Sequence, residues 1–196
     1  MESRVYILNI KDINVNIYEF ILPDYCADKI SETNDQELKY IRAISWNLLT
    51  NILYKEYNID LFKTSIYEND YGKPYIDDIY FNITHSGDYI GIIISNNECG
   101  IDIEKIELNV DIDKFAKKIL TNNEYNNKEN INIEYLISKW TKLEVYYKMI
   151  GEGITLYKLN KEVELKDITT IKFKNYFLSF SPKVTEIKYL NSTHLL

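Results

Sequence analysis

The amino-acid sequence predicts an α+β protein made of two similar α/β halves, and three observations carry that expectation. The order strand, helix, strands occurs twice along the 196 residues, without a strict repeat of sequence. Two long segments, one from Asp35 and one over Ile133–Ile150, have the apolar spacing of amphipathic helices. Between them, two β-branched runs flank His85-Ser86-Gly87, and a third ends in Gly100-Ile101-Asp102-Ile103-Glu104. The halves are expected to meet near Glu104 to Glu107, with residues 1–104 in the first and 105–196 in the second.

Each element follows from local chemistry. Arg4–Ile10 reads as a first strand by its β-branched and aromatic content, and a second apolar patch, Ile17–Leu22, ends at Pro23-Asp24. Leu38, Ile41, Ser45, Leu48, Leu49, Ile52 and Leu53 form one stripe of a long helix, with Asn34 or Asp35 as its cap. Asp70-Tyr71-Gly72-Lys73-Pro74 is a turn: Gly frees φ and Pro fixes it. Tyr80–Thr84 and Tyr89–Ser95 then read as the arms of a hairpin. Beyond Lys105, Phe115, Ile119 and Leu120 return to helical spacing, and Thr121-Asn122-Asn123-Glu124 resembles a capping box. In the second long helix Leu136, Ile137, Trp140, Leu143, Tyr147 and Ile150 make the apolar side, and Gly151 and Gly153 stop it. Short strands are expected at Glu162–Leu165, Ile171–Phe173 and Tyr176–Phe180, with Lys174-Asn175 as a hairpin turn.

Composition narrows the function classes. A formal net charge of -7, from 23 Lys+Arg against 30 Asp+Glu, argues against broad nucleic-acid binding, so an anionic ligand must meet a local cluster of cations. Cys26 and Cys99 lack zinc or CxxC spacing and read as reduced, partly buried thiols. The N-terminus lacks a signal-like apolar region and no run approaches the roughly 18 residues of a membrane span, so a cytoplasmic protein is expected.

The chemistry-bearing residues fall into two groups. Asp102 and Glu104, two apart in a strand, point to one face, where two acids repel unless a cation lies between them; a hard divalent ion such as Mg²⁺ takes such oxygen ligands. A histidine and small polar groups at a neighbouring strand end suit a phosphate held by that metal. In the second helix Trp140, Glu144 and Lys148 lie at successive i, i+4 positions and share a face.

Taken together and in order, these motifs resemble the Sfp-type 4′-phosphopantetheinyl transferases. The family's G-[IV]-D-x-E strand appears as Gly100–Glu104 and its W-[ST]-x-K-E-[SA]-x-x-K helix as Trp140–Lys148. Tyr71-Gly72-Lys73-Pro74, Asn82–Gly87 and Glu152-Gly153-Ile154 match further family features, over roughly residues 36 to 156. The resemblance implies the two-halved 4′-phosphopantetheinyl transferase fold, with the active site at the junction of the halves. It implies that Asp102, Glu104 and Glu144 bind Mg²⁺. It also implies that Arg42, Lys73, Thr84, His85 and Lys148 contact coenzyme A, while Gly72 and Pro74 shape the wall of the nucleotide pocket. The implied reaction moves the phosphopantetheine arm of coenzyme A to a serine of an apo acyl or peptidyl carrier protein and releases adenosine 3′,5′-bisphosphate. Glu144, directly or through a metal-bound water, is the candidate base, and His85 and Lys148 are expected to stabilise the leaving phosphate.

The chain departs from the family pattern in two places. Leu143 stands where most members have Lys before the helix Glu, which marks either a lost phosphate contact or a core position; Lys142 lies one step earlier, about 100° round the helix. Cations expected ahead of the first long helix have only Lys29 as a loose counterpart. An apolar dock for the carrier is expected to draw on Ile119, Leu120, Met149 and Ile150, with at least half of these expected in the core instead, and a monomer is expected because both halves are in one chain. A non-catalytic coenzyme A binding or scaffold protein of the same fold is the alternative reading.

Overall fold

The structure, a computed structural model, describes all residues except 1, 12, 108–110, 128–130, 156–158, 160 and 196. Its strands are β1 (Arg4–Asn9), β2 (Tyr67–Glu68), β3 (Pro74–Tyr75), β4 (Tyr80–Ser86), β5 (Tyr89–Ser95), β6 (Gly100–Lys105), β7 (Thr169–Phe173), β8 (Tyr176–Ser181) and β9 (Glu186–Leu190). Its α-helices are α1 (Asp24–Ser31), α2 (Gln36–Tyr57), α3 (Ile112–Ile119), α4 (Asn122–Asn127) and α5 (Ile133–Ile150). Both long helices begin and end as their sequences dictate. The Asp35 carboxylate caps α2 by accepting from the Leu38 amide, and the Asn132 side chain caps α5 by accepting from the Tyr135 amide. Asn58 and Gly151 close their C-termini in the left-handed conformation.

One topology is used twice. In the first sheet the order is β4-β5-β1, all antiparallel, with α1 and α2 inserted between β1 and the β4–β5 hairpin. In the second the order is β7-β8-β6, again antiparallel, with α3 to α5 inserted between β6 and the β7–β8 hairpin. The strand-helix-strands order expected from the sequence is present in both sheets. The second unit opens at Gly100, because β6 pairs along its length with β8, from Gly100 opposite Ser181 to Lys105 opposite Tyr176. β9 lies outside the repeat and returns to the first sheet, parallel to β1.

Alternation along the strands sorts the cores. Tyr6, Leu8, Ile90, Ile92 and Ile94 face α2, where Ile44, Leu48, Leu49 and Leu53 meet them. Val5, Ile7, Tyr89 and Ile93 face the other way, into a shared layer with Ile101, Ile103, Tyr176, Leu178 and Phe180 of the second sheet. The far side of α2 is covered too: Asn47 and Asn51 donate to the carbonyls of Leu195 and His194 in the C-terminal turn. Consequently α2 is buried well beyond the single stripe its sequence suggests.

Residues 162–165 form no strand, contrary to expectation. Val163 and Leu165 instead pack on the cluster of Ala116, Ile119, Leu120, Leu136 and Leu143 between α3 and α5. Both cysteines are free and buried. Among the described residues no helix is long and apolar enough to cross a membrane.

Candidate active site

The two sheets meet edge to edge through side chains. Alternate residues of β4 reach the outer edge of β6: Asn82 Oδ1 accepts from the Ile101 amide at 3.2 Å, Thr84 Oγ1 from Ile103 at 3.4 Å and Ser86 Oγ from Lys105 at 3.3 Å. An edge strand with unpaired amides is thereby satisfied by a polar ladder of period two. The same hydroxyls hold the acid pair. Thr84 donates to Asp102 Oδ1 at 3.0 Å and Ser86 to Glu104 Oε2 at 2.9 Å.

The second long helix is laid across β6 at its glycine. A Cβ on Gly100 would stand 2.4 Å from the Val145 carbonyl oxygen and 3.0 Å from the Met149 amide, so only glycine lets α5 approach this closely. One turn away, the Thr141 and Ser179 hydroxyls hydrogen-bond at 2.7 Å and fix the other end of the contact. This seating brings Lys148 Nζ to 2.7 Å from Asp102 Oδ1, 3.2 Å from the Ile101 carbonyl and 3.9 Å from Glu144 Oε2. The strand acids and the helix acid, 40 residues apart in sequence, thus share one neighbourhood with one ammonium.

The electrostatics of this centre are those of too many acids for the cations present. Burial raises the Asp102 carboxyl above its ordinary range, against the pull of Lys148 and Thr84. Glu104 is pushed up to about 7, first by burial and then by the charge of Asp102; the Ser86 hydroxyl, Lys148 and the Trp140 side chain act in the opposite direction. Burial also raises Glu144; Lys148 opposes this and Asp102 adds to it. Asp102 Oδ2 is buried with no hydrogen-bond partner among the described residues. Among the described residues no three His, Cys, Asp or Glu side chains already converge as metal ligands. The donor set still fits a hard divalent cation, being all oxygen, crowded with negative charge and holding one buried oxygen without a partner.

Beside this centre lies a cavity of about 450 Å³. Because successive residues of a strand face opposite ways, β4 sends Thr84 to Asp102 and its neighbour His85 into the cavity. Trp46 forms an aromatic floor, edge-on to Tyr25 and Phe81, and Gly72 and Pro74 form part of the wall. The cations in the lining are Lys29 and Arg42. Lys29 is paired with Glu68 at 2.7 Å and Glu32 at 3.9 Å, and Arg42 donates to Thr33 Oγ1 at 2.6 Å. His85 is held below its ordinary pKa by desolvation, then by the charges of Lys148 and Arg42. It is the side chain through which cavity and carboxylate centre adjoin.

The structure therefore sets Lys148 beside Asp102 and Glu144, with Glu104 two residues further along β6 on the Ser86 hydroxyl, and sets Arg42, Gly72, Pro74 and His85 around the adjoining cavity. Two expected ligand contacts point elsewhere. Thr84 is buried on the Asp102 side of β4, with its hydroxyl engaged there and absent from the cavity lining. The Lys73 ammonium turns from the cavity and donates to the carbonyls of Cys99 at 3.1 Å and Met149 at 2.9 Å. Leu143 is 2% exposed and packs with Ala116, Ile119, Leu120 and Leu136, so the core alternative is the one realised. Ile119 and Leu120 are buried in the same cluster and are unavailable for docking. Sequence reasoning passed over Trp46 as a cavity residue and Asn82 and Ser86 as ladder residues. The alternation Asn82-x-Thr84-x-Ser86 was the available signal for the latter.

The family model described as the 4′-phosphopantetheinyl transferase superfamily matches residues 98–193, a span that begins two residues ahead of β6 and takes in the second unit and β9. The chain is 30% identical over 175 residues to "4′-phosphopantetheinyl transferase gsp" of Aneurinibacillus migulanus, covering 76% of this chain and 73% of that relative. It is 33% identical over 127 residues to a 4′-phosphopantetheinyl transferase of Bacillus subtilis, covering 61% of this chain and 56% of the relative. With a relative of that identity spanned over nearly three quarters of its length, the chain belongs to the 4′-phosphopantetheinyl transferase superfamily.

Proposed function

We propose that this protein is a cytoplasmic, monomeric, Mg²⁺-dependent transferase that moves the 4′-phosphopantetheine arm of coenzyme A to a serine of an apo acyl or peptidyl carrier protein. The observation that carries the reading is the junction of Asp102, Glu104, Glu144 and Lys148 with a cavity bearing Arg42 and His85. Relatives named 4′-phosphopantetheinyl transferase support it. The cavity's aromatic floor and cations suit a nucleotide carrying phosphates. Gly72 and Pro74 would shape its wall, and Arg42 and His85 would reach phosphate oxygens.

In the proposed step the serine oxygen attacks the phosphorus that bears the pantetheine arm. A serine O–P bond forms, the bond from that phosphorus to the bridging oxygen breaks, and adenosine 3′,5′-bisphosphate leaves with the bridging oxygen. Glu144 takes the serine proton, directly or through a water. Its desolvation makes it a stronger base than an exposed glutamate. Lys148 offsets charge gathering on the leaving phosphate, and the His85 ring donates a hydrogen bond to it. Asp102, Glu104 and Glu144 would hold Mg²⁺, which when bound supplies neutralisation of the pyrophosphate. Thr84 and Ser86 fix the two strand acids so that no reorganisation is needed at the moment of reaction.

The test is to incubate the protein with coenzyme A, Mg²⁺ and a panel of apo acyl and peptidyl carrier proteins and weigh the carriers. A gain of one phosphopantetheine on a serine is the expected result. No gain on any carrier, with coenzyme A still bound in calorimetry, would replace transfer with a binding or scaffold role.

A further inference from the structure

The turn that carries Lys73 is bolted to the end of the helix that carries Glu144 and Lys148. Lys73 Nζ donates to the Met149 carbonyl in the last turn of α5 and to the Cys99 carbonyl, one residue ahead of Gly100. Asn69 works from the same turn. Its Oδ1 accepts from the amides of Tyr71 at 3.0 Å and Lys73 at 2.9 Å, while its Nδ2 donates to the Gly151 carbonyl at 3.1 Å. A Cβ on Gly151 would stand 2.2 Å from Asn69 Nδ2 and 3.4 Å from Lys73 Cδ, so the helix cap and the turn are in close contact.

Three physical consequences follow. A helix C-terminus presents unsatisfied carbonyls and the negative end of its dipole, and a buried ammonium there satisfies both. The two carbonyls that Lys73 joins belong to the two strands of backbone that meet at Gly100, so the lysine ties α5 to β6 where glycine lets them touch. Finally, the neighbours of Lys73, Gly72 and Pro74, line the cavity. The turn therefore joins the cavity wall to the seat of the reacting helix.

We propose that Lys73 is a positioning residue, clamping the C-terminus of α5 onto β6 through the Met149 and Cys99 carbonyls, and so holding Glu144 and Lys148 over Asp102. It acts through the helix and makes no contact with the nucleotide. The activity part of this inference rests on the transfer reaction proposed above; the clamp itself does not.

The experiment compares Lys73→Met, which keeps the buried stem and removes the ammonium, and Lys73→Arg, which keeps charge and donors, with the wild-type protein. Amide hydrogen exchange reads the clamp. In Lys73→Met the cap amides of Gly151 and Glu152, which bond to Lys148 and Tyr147 carbonyls, are expected to exchange about tenfold faster, and in Lys73→Arg less so. Coenzyme A affinity by calorimetry is expected to stay within about threefold of wild type, while kcat for carrier modification falls about tenfold or more with little change in KM. Unchanged exchange at the cap in both variants overturns the clamp. A tenfold or greater loss of coenzyme A affinity, whatever the exchange, overturns the positioning role in favour of direct contact. Should the wild-type protein transfer nothing, the proposed reaction fails, and exchange and affinity still decide the clamp. If Lys73→Met does not fold, Lys73→Gln, which removes the charge and shortens the reach to the two carbonyls, replaces it in the same two readings.

Discussion

Gly100→Ala perturbs the backbone contact that lets α5 lie against β6. The added methyl would stand 2.4 Å from the Val145 carbonyl oxygen and 3.0 Å from the Met149 amide. Both are backbone atoms of a helix and cannot rotate aside. Restoring an ordinary C···O separation of about 3.3 Å requires α5 to retreat by roughly 0.9 Å. Overpacking of this kind costs about 1–3 kcal/mol, which for a chain of this size lowers Tm by about 2–12 °C. The larger effect is on the site. A shift of that size carries the Lys148–Asp102 contact of 2.7 Å and the Thr141–Ser179 contact of 2.7 Å beyond hydrogen-bonding range. Misplacement by about 1 Å costs on the order of 10²-fold in rate. Thermal melts combined with transfer rates at saturating coenzyme A therefore expect a modest loss of stability and a disproportionate loss of turnover. A Gly100→Ala protein with wild-type turnover would refute the argument that this glycine seats the helix.

Two further predictions concern stability. Leu143→Lys places an ammonium in the α3–α5 core, where Leu143 is 2% exposed, so stability should fall by about 3 kcal/mol or more, with no gain in coenzyme A affinity; calorimetry and thermal melts on this one variant check both. Glu56 joins three elements, accepting from Lys188 of β9 at 2.6 Å and Tyr6 of β1 at 2.9 Å and lying 3.4 Å from Arg4. Burial alone would raise its carboxyl, yet the hydrogen bonds from Lys188 and Tyr6 prevail and hold it below its ordinary value. A depressed carboxyl stabilises the fold above its unfolded pKa of about 4.5, and that contribution is lost as pH falls through the folded value. Glu56→Gln should accordingly lower stability at pH 7 and flatten its decline below about pH 4.5, as followed by urea melts across that range.

Much of this molecule was legible in the sequence, and the reasons are local. The second long helix appears at its expected bounds, Ile133–Ile150, since Asn132 caps it and Gly151 ends it by intrinsic chemistry. Lys174 takes the positive φ expected of a hairpin turn between β7 and β8. β9 was missed because its partner, β1, is some 180 residues away, and a short edge strand has little periodicity to announce it. Residues 162–165 misled because Val163 and Leu165 alternate like a strand but satisfy a helix-facing core without a ladder. At the site, spacing alone gave two separate groups, Asp102 with Glu104 on the strand and Glu144 with Lys148 on the helix, and only the family resemblance joined them. Which way Thr84 and Lys73 point was beyond reach, since it depends on the face of β4 that meets β6 and on where α5 ends in space.

In the proposed reaction the acid centre beside the cavity performs the transfer, with Glu144 in the proton-accepting role. Glu144→Gln keeps the size of the side chain and removes its charge. Mass spectrometry of a carrier modified by the wild-type protein, run as a time course with Glu144→Gln alongside, is expected to show transfer slowed by about 10² or more while coenzyme A binding persists in part. A Glu144→Gln protein that loads the carrier as fast as wild type would contradict the account.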